Sequence, residues 1–202
     1  MMPFEIFPLF PVAVYKANMR PLTSAEMTLL KQQPTYEQEL GNHTSNTPYL
    51  LSELGLDDLS KEIQKHIDNY VKEIMKASYE VYITNSWINI TQSGEQHMIH
   101  CHSNSVLSGV LYISVNDSNP SISFNRMTAP YLFHTMADEY NIFNSMEWSI
   151  PVEDNSIIIF PSTSYHYVKR NNSNNTRISI AFNTFARGNI RTQTAGADLI
   201  LK

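Results

Sequence analysis

A mainly β domain braced by N-terminal helices (α+β), of the sandwich or jelly-roll type, is the fold this sequence predicts, and three observations carry the prediction. From Tyr79 onward, apolar residues recur in short runs of period two, separated by polar turn clusters. One long amphipathic helical pattern precedes them. No internal repeat or linker divides the 202 residues, a length that suits one substantial core.

The elements follow in order. Residues 7–15 read as a strand whose prolines, Pro8 and Pro11, confine it to a sheet edge. Thr23 or Ser24 caps a helix entering Met27-Thr28-Leu29-Leu30. Residues 32–56 read as loop, with Pro34, Gly41, a polar run over 42–46, Pro48 and Gly55. The spacing then predicts a helix over 59–78. Ile63, Ile67, Tyr70, Val71, Ile74 and Met75 share one side of it, and Lys61, Glu62, Lys65, Asp68, Lys72 and Glu73 cover the other. His66, beside the apolar stripe, reads as a helix-surface residue without a role. Strand patterns occupy 79–84, 86–90, 97–101, 106–115, 121–126, 142–150, 156–160, 165–169 and 177–185. Turn signals separate them at 93–94, 116–120, 153–155 and 171–175, and Leu199-Ile200-Leu201 reads as a last short strand. The expected organisation is therefore one domain over 1–202. An N-terminal strand and supporting helices occupy 1–78, a β core 79–186 and a tail 187–202.

Composition narrows the function classes. The formal net charge is −5 and the basic residues are scattered, the longest run being Lys169-Arg170, which disfavours a sequence-independent grip on nucleic acid. A single cysteine, Cys101, excludes an intramolecular disulfide and points to a reducing, cytoplasmic setting. No stretch reaches the roughly 18 consecutive apolar residues of a membrane span. The apolar N-terminus carries prolines and Glu5 and lacks a basic leader, so it reads as a strand and not as a signal peptide.

The chemistry-bearing residues lie on the strand patterns. Side chains two apart share a face, so His100 and His102 face one centre while Cys101 turns away. His97 is an odd number of positions from both, and continuous alternation puts it on the opposite face. His166 closes another strand and supplies a third imidazole. Such a set suits zinc, copper, iron or nickel; a solvated histidine cluster and a hydrogen-bonded core network are the alternatives. No Asp or Glu stands at a matching strand position. In residues 177–183, Arg177, Ser179, Ala181 and Asn183 share one face, and Ile178, Ile180 and Phe182 the other. If the polar face is interior, Arg177 needs an anionic partner, for which its fork suits a carboxylate and Ser179 adds a hydrogen bond. Otherwise it is a solvent-facing strand. Leu107, Gly109, Leu111, Ile113 and Val115 form an apolar side, with Ser108 and Tyr112 opposite. Tyr112 is thus a candidate ligand contact, and Trp87 and Asn89 are weaker ones. Cys101 as a nucleophile has no supporting motif.

Three blocks together carry a family resemblance: His100-x-His102-x-Asn104-x2-Leu107-Ser108-Gly109-Val110-x-Tyr112, Phe160-Pro161-x4-His166, and Arg177-Ile178-Ser179-Ile180-x-Phe182-Asn183. Over roughly residues 80–185 the chain resembles the 2-oxoglutarate/Fe(II) oxygenases, in particular the small prolyl-hydroxylase-like group common in bacteria and their phages. The resemblance implies a double-stranded β-helix (jelly roll, cupin-like) with iron held by His100 and His166. His102 stands where the wider superfamily has an acid, so the ligand set is His100, His102 and His166. The resemblance further implies that Arg177, helped by Ser179, binds the distal carboxylate of the co-substrate 2-oxoglutarate. Tyr112 and Asn89 or Asn183 would line that pocket. The implied reaction hydroxylates a C–H bond of a small-molecule or peptidyl substrate, a peptidyl or free amino acid such as proline being the default, with release of succinate and CO2. The rival readings are a three-histidine metal dioxygenase or zinc hydrolase on a similar barrel, and a non-catalytic jelly-roll binding or virion module. Residues 35–55 and 127–141 are the expected substrate-covering segments.

Overall fold

A computed structural model of the chain describes residues 2–38, 41–115, 120–128, 137–190 and 196–201. The first regular element is strand β1 (Tyr15–Asn18), at the edge of a sheet. Regular pairing does not reach back over 7–14, since Pro8 and Pro11 cannot donate to a ladder, and Phe7, Leu9, Phe10 and Val12 are exposed. Helix α1 (Ser24–Lys31) starts at a complete capping box: the Thr23 hydroxyl accepts the Glu26 N–H, and the Glu26 carboxylate accepts the Thr23 N–H. The segment expected to be loop folds further, into β2 (Thr35–Glu37), β3 (His43–Ser45) and the one-turn helix α2 (Leu50–Glu53). Its buried Thr44 and Ser45 bond the backbone of Ile88, so a polar run pairs with a sheet edge instead of covering the barrel loosely.

Helix α3 (Asp57–Tyr70) buries Leu59, Ile63, Ile67 and Tyr70 and continues into one π-helical turn (Val71–Met75), which Lys76 ends in the left-handed region at φ 51°. His66 is not idle there: its Nδ1 meets the Tyr15 hydroxyl at 2.8 Å, tying α3 to β1.

The remaining chain supplies the β core. The two patterns expected over 79–90 form one strand, β4 (Glu80–Thr91). Then come β5 (His97–His100), β6 (Leu107–Ser114), β7 (Ser121–Asn125), β8 (Glu147–Pro151), β9 (Ser156–Pro161), β10 (His166–Val168), β11 (Arg177–Ile190) and β12 (Leu199–Leu201). The β8 pattern was expected from residue 142, but the side chains of Asn141 and Asn144 capture the N–H groups of Phe143 and Asn141 in a turn, and pairing begins only at Glu147. The turn signal at 116–119 and much of the covering segment at 127–141 lie outside the described residues.

All pairs among these strands are antiparallel. The major sheet runs β1-β9-β6-β11-β4-β3-β2, with β12 also on β11, and the minor sheet runs β5-β10-β7-β8. This is the double-stranded β-helix. The helices cover the outer face of the major sheet, where Ile63 and Ile67 join Leu111, Ile159, Ile180 and Phe182 in the larger core. Tyr112, Ile122, Ile158 and Phe160 form a second core between the sheets. Strand β9 is buried on both faces, which explains its unbroken run Ile157-Ile158-Ile159-Phe160. Val115 departs from the expected side and joins the inner core, because the β6–β11 register shifts between Ile178 and Ser179 and reverses parity beyond that point. Gly109 permits the Phe182 ring to lie close against the β6 backbone. A Cβ built there would lie 2.2 Å from the Phe182 ring.

Candidate active site

Both sheets contribute to one pocket, whose lining includes Asn89, Thr91, His97, His100, His102, Tyr112, His166, Arg177 and Ser179. At one end, His100, His102 and His166 each present a ring nitrogen, and these atoms lie within 4.8 Å of one another. Among the described residues no carboxylate or thiol joins this group.

Backbone register brings the three together. His100 on β5 sits directly opposite His166 on β10. His102 follows β5 by two residues and is pinned there by its N–H bond to Ser162 O at 2.9 Å. The Nδ1 of His100 lies 2.8 Å from Met98 O, and that of His166 lies 2.9 Å from Ser164 O. A carbonyl only accepts, so both Nδ1 atoms carry hydrogen and both Nε2 lone pairs are free for a metal. Burial against neighbours such as Phe160, 4.6 Å from the His166 ring, disfavours the charged imidazole. Desolvation, followed by the neighbouring His100, pushes His166 down to about 3 and His102 down to about 4, while His100 also falls. Neutral imidazoles are the ligating form.

At the other end, the alternation predicted for β11 holds. Arg177, Ser179 and Ala181 face the pocket and Ile180 packs under the helices, while Phe182, a member of the same core, also reaches the pocket wall. Arg177 is only 5% exposed and donates to Lys169 O at 3.2 Å. The Tyr112 hydroxyl, fully buried, has no hydrogen-bond partner. Burial raises its pKa, so it stays a neutral O–H donor facing the pocket. Asn89 is held by Asn42, whose Nδ2 donates to Asn89 Oδ1 at 3.1 Å. An orphaned hydroxyl beside a buried guanidinium fits a carboxylate-bearing guest, and three convergent neutral imidazoles fit a divalent metal.

Two residues depart from their expected places. Asn183 does not line the pocket; it stands behind His102, its carboxamide 3.3 Å from Nδ1. His97, expected on the opposite face, lines the pocket and stacks on His100 at 4.4 Å between ring centroids. The cause is a bulge: three steps along β5, from His97 to His100, oppose two along β10, from Val168 to His166. The extra residue reverses parity and turns His97 inward. No local sequence signal marks that bulge. Thr91 was also missed, although it continues the alternation of Trp87 and Asn89 on β4. Cys101 does not line the pocket, as alternation predicted.

Comparison with known proteins agrees with this geometry. Residues 85–183 match a family model described as "Putative 2OG-Fe(II) oxygenase". No curated protein matches the chain by sequence. Among solved structures, an oxidoreductase of the 2OG-Fe(II) oxygenase family from Burkholderia pseudomallei superposes with a TM-score of 0.58 at 9% identity, covering 80% of this chain and 79% of that one. HygX from Streptomyces hygroscopicus, with nickel, 2-oxoglutarate and hygromycin B bound, gives 0.56 at 10% identity, covering 86% and 82%. A Pseudomonas putida prolyl-4-hydroxylase gives 0.53 at 13% identity, covering 88% and 94%. At such identities the likeness is one of fold.

Proposed function

We propose that this enzyme, whose residues 85–183 belong to the 2-oxoglutarate/Fe(II) oxygenase family, hydroxylates a C–H bond of a small molecule or an amino-acid side chain, with release of succinate and CO2. The observation that carries the reading is the single pocket with a three-imidazole cluster at one end and a buried Arg177 beside an orphaned Tyr112 hydroxyl at the other. Iron with 2-oxoglutarate supplies oxygen activation and the oxidising power for the C–H bond. The protein supplies ligands, orientation and a dry pocket. His100, His102 and His166 hold the metal, the first and last through Nε2. Arg177 would hold the distal carboxylate of 2-oxoglutarate, with Ser179 and Tyr112 donating beside it and Asn89 completing the wall. Three neutral ligands leave one more positive charge on the metal than two histidines and an acid would, which strengthens its hold on an anionic co-substrate.

The unit that performs this is the whole of residues 1–202. Its helices brace the major sheet from which Arg177 projects. Prolyl hydroxylases are among the similar folds, and a peptidyl or free amino acid such as proline is the substrate class we favour. Nucleic acid is disfavoured by the net charge of −5. No helix among the described residues is long and apolar enough to cross a membrane, and the lone Cys101 is free, in keeping with a reducing cytoplasmic setting.

The test is succinate formation by iron-loaded protein supplied with 2-oxoglutarate and air, with and without proline-containing peptides. Succinate should appear at iron-dependent rates. Its absence in every arm, from protein shown to carry iron, refutes the reading.

A further inference from the structure

His100 and His166 owe their ligating tautomer to backbone carbonyls, whereas His102 faces a side chain that can present either end. The structure sets Asn183 Nδ2 towards His102 Nδ1 and Oδ1 towards Ser108. In that orientation Nδ1 would accept, Nε2 would keep the hydrogen, and His102 would have no lone pair for a metal. The two ends of a carboxamide have the same shape, so the hydrogens available behind it decide which way it lies.

Those hydrogens can be counted. Ser105 Oγ accepts the Thr184 N–H at 3.2 Å and the Ser162 hydroxyl at 2.7 Å, and its own hydrogen goes to Leu107 O at 3.0 Å, an oxygen that also accepts the Thr184 hydroxyl at 2.8 Å. The contact between Ser105 and Ser162 therefore uses the hydrogen of Ser162. The 2.8 Å contact between Ser162 and Ser108 in turn uses that of Ser108. Ser108 has none left for its 2.7 Å contact with the carboxamide, so the amide must present its donating nitrogen there. The oxygen then faces His102. With the amide set the other way, one of these contacts brings two oxygens together with no hydrogen between them, in a network where Ser108 and Ser162 are buried.

We infer that Asn183 is a positioning residue for His102: a serine relay from Leu107 O through Ser105, Ser162 and Ser108 fixes its carboxamide oxygen on His102 Nδ1, holding Nε2 bare as the third metal-binding nitrogen. This moves Asn183 from the co-substrate pocket to the support of the metal end, where a side-chain acceptor does for His102 what the backbone does for the other two. The inference rests on His102 being a ligand, and not on the oxygenase reaction.

The decisive readout is the tautomer of His102 in metal-free protein labelled with 15N-histidine, followed by two-bond 1H–15N correlation. Wild type should show the Nδ1–H form. The Nε2–H form there overturns the inference, whereas failure to turn over 2-oxoglutarate counts against the oxygenase reading alone. Ser108→Ala, a small change behind the amide, should release the Nδ1–H preference; an unchanged pure Nδ1–H form overturns the relay. Titration with Co(II) should show Asn183→Asp within a few-fold of wild type, because it keeps an acceptor for His102 and the serine chain can reverse to donate to its second oxygen while Leu107 O keeps the Thr184 hydroxyl. Asn183→Leu should bind about 10–100-fold more weakly, the usual scale for losing the partner of a ligating histidine. Wild-type affinity in Asn183→Leu, or equal losses in both variants, contradicts the acceptor role.

Discussion

The two ends of the pocket are built in different ways. The Arg177 end belongs to long, well-paired strands of the major sheet: β11 meets β4 over residues 177–187 and β6 over 178–183. The histidine end belongs largely to β5 and β10, four and three residues long, with a bulge between them and a loop carrying His102. Long pairing fixes which way most side chains point, so the anion end is preset mainly by its ladder, with Asn42 holding Asn89. Short strands leave more freedom, and there each imidazole has its own hydrogen-bond partner to orient it. One end is rigid through its ladder, and the other through local bonds.

Substitutions that separate the two ends test this contrast. The largest effect is expected from His166→Ala, which removes the most buried of the three imidazoles. Iron affinity should fall by at least about 100-fold while the circular dichroism spectrum stays native. Retention of stoichiometric iron would show that the cluster is not the metal end. Next is Arg177→Leu, which should leave iron binding intact and weaken 2-oxoglutarate about 10–100-fold, the scale of a lost charge-assisted hydrogen bond. Arg177→Lys should recover part of that, because a point charge replaces a fork. A parallel loss of iron in Arg177→Leu would mean that the two ends are not separable.

Smaller effects probe the frame. Gly109→Ala forces a methyl against the Phe182 ring and should cost about 1–3 kcal/mol, lowering Tm by several degrees. An unchanged Tm would mean that Phe182 has room to retreat. The smallest effect lies outside both ends, at Glu26. The Arg20 side-chain bond, with the Thr23 cap behind it, holds this carboxyl down to about 2. The folded value lies below the ordinary one near 4.3, so the stabilisation is complete above that pH and fades as the pH falls toward 2. After solvent screening it should amount to about 1 kcal/mol. Glu26→Gln should therefore unfold slightly more easily at pH 7 and converge on wild type as the pH falls through about 2, with metal and 2-oxoglutarate affinities unchanged. A difference undiminished between pH 7 and pH 2 would place the effect elsewhere.

The same contrast governs how much was legible in the sequence. Alternation placed Arg177, Ser179 and Asn89 on the pocket face because β11 and β4 pair without interruption from Arg177 to Asn183, and Tyr112 there because it lies before the register shift of β6. His100, His102 and His166 were recognisable as a set because an i, i+2 pair and a third strand histidine are uncommon together. Alternation failed at His97 and Val115, each beyond a register shift that only the pairing partner defines. It also put Asn183 on the pocket side of β11, since strand parity gives a direction but not what stands in front of the side chain. The serine relay was invisible for a related reason: Ser105, Ser108 and Ser162 come from two regions of the chain, and ordinary serines carry no signal until the fold joins them. The N-terminal strand failed at its prolines, and the strands near residues 35–45 were hidden because polar residues there pair through their own hydroxyls.

The central claim, a three-imidazole metal end facing a carboxylate end across one pocket, meets its most direct test in anaerobic titration of the iron-loaded protein with 2-oxoglutarate, watched for visible charge-transfer absorption. The account predicts a band that saturates at one 2-oxoglutarate per iron, is absent in His166→Ala, and needs about 10–100-fold more 2-oxoglutarate in Arg177→Leu. Stoichiometrically bound iron that develops no band at any 2-oxoglutarate concentration would contradict it.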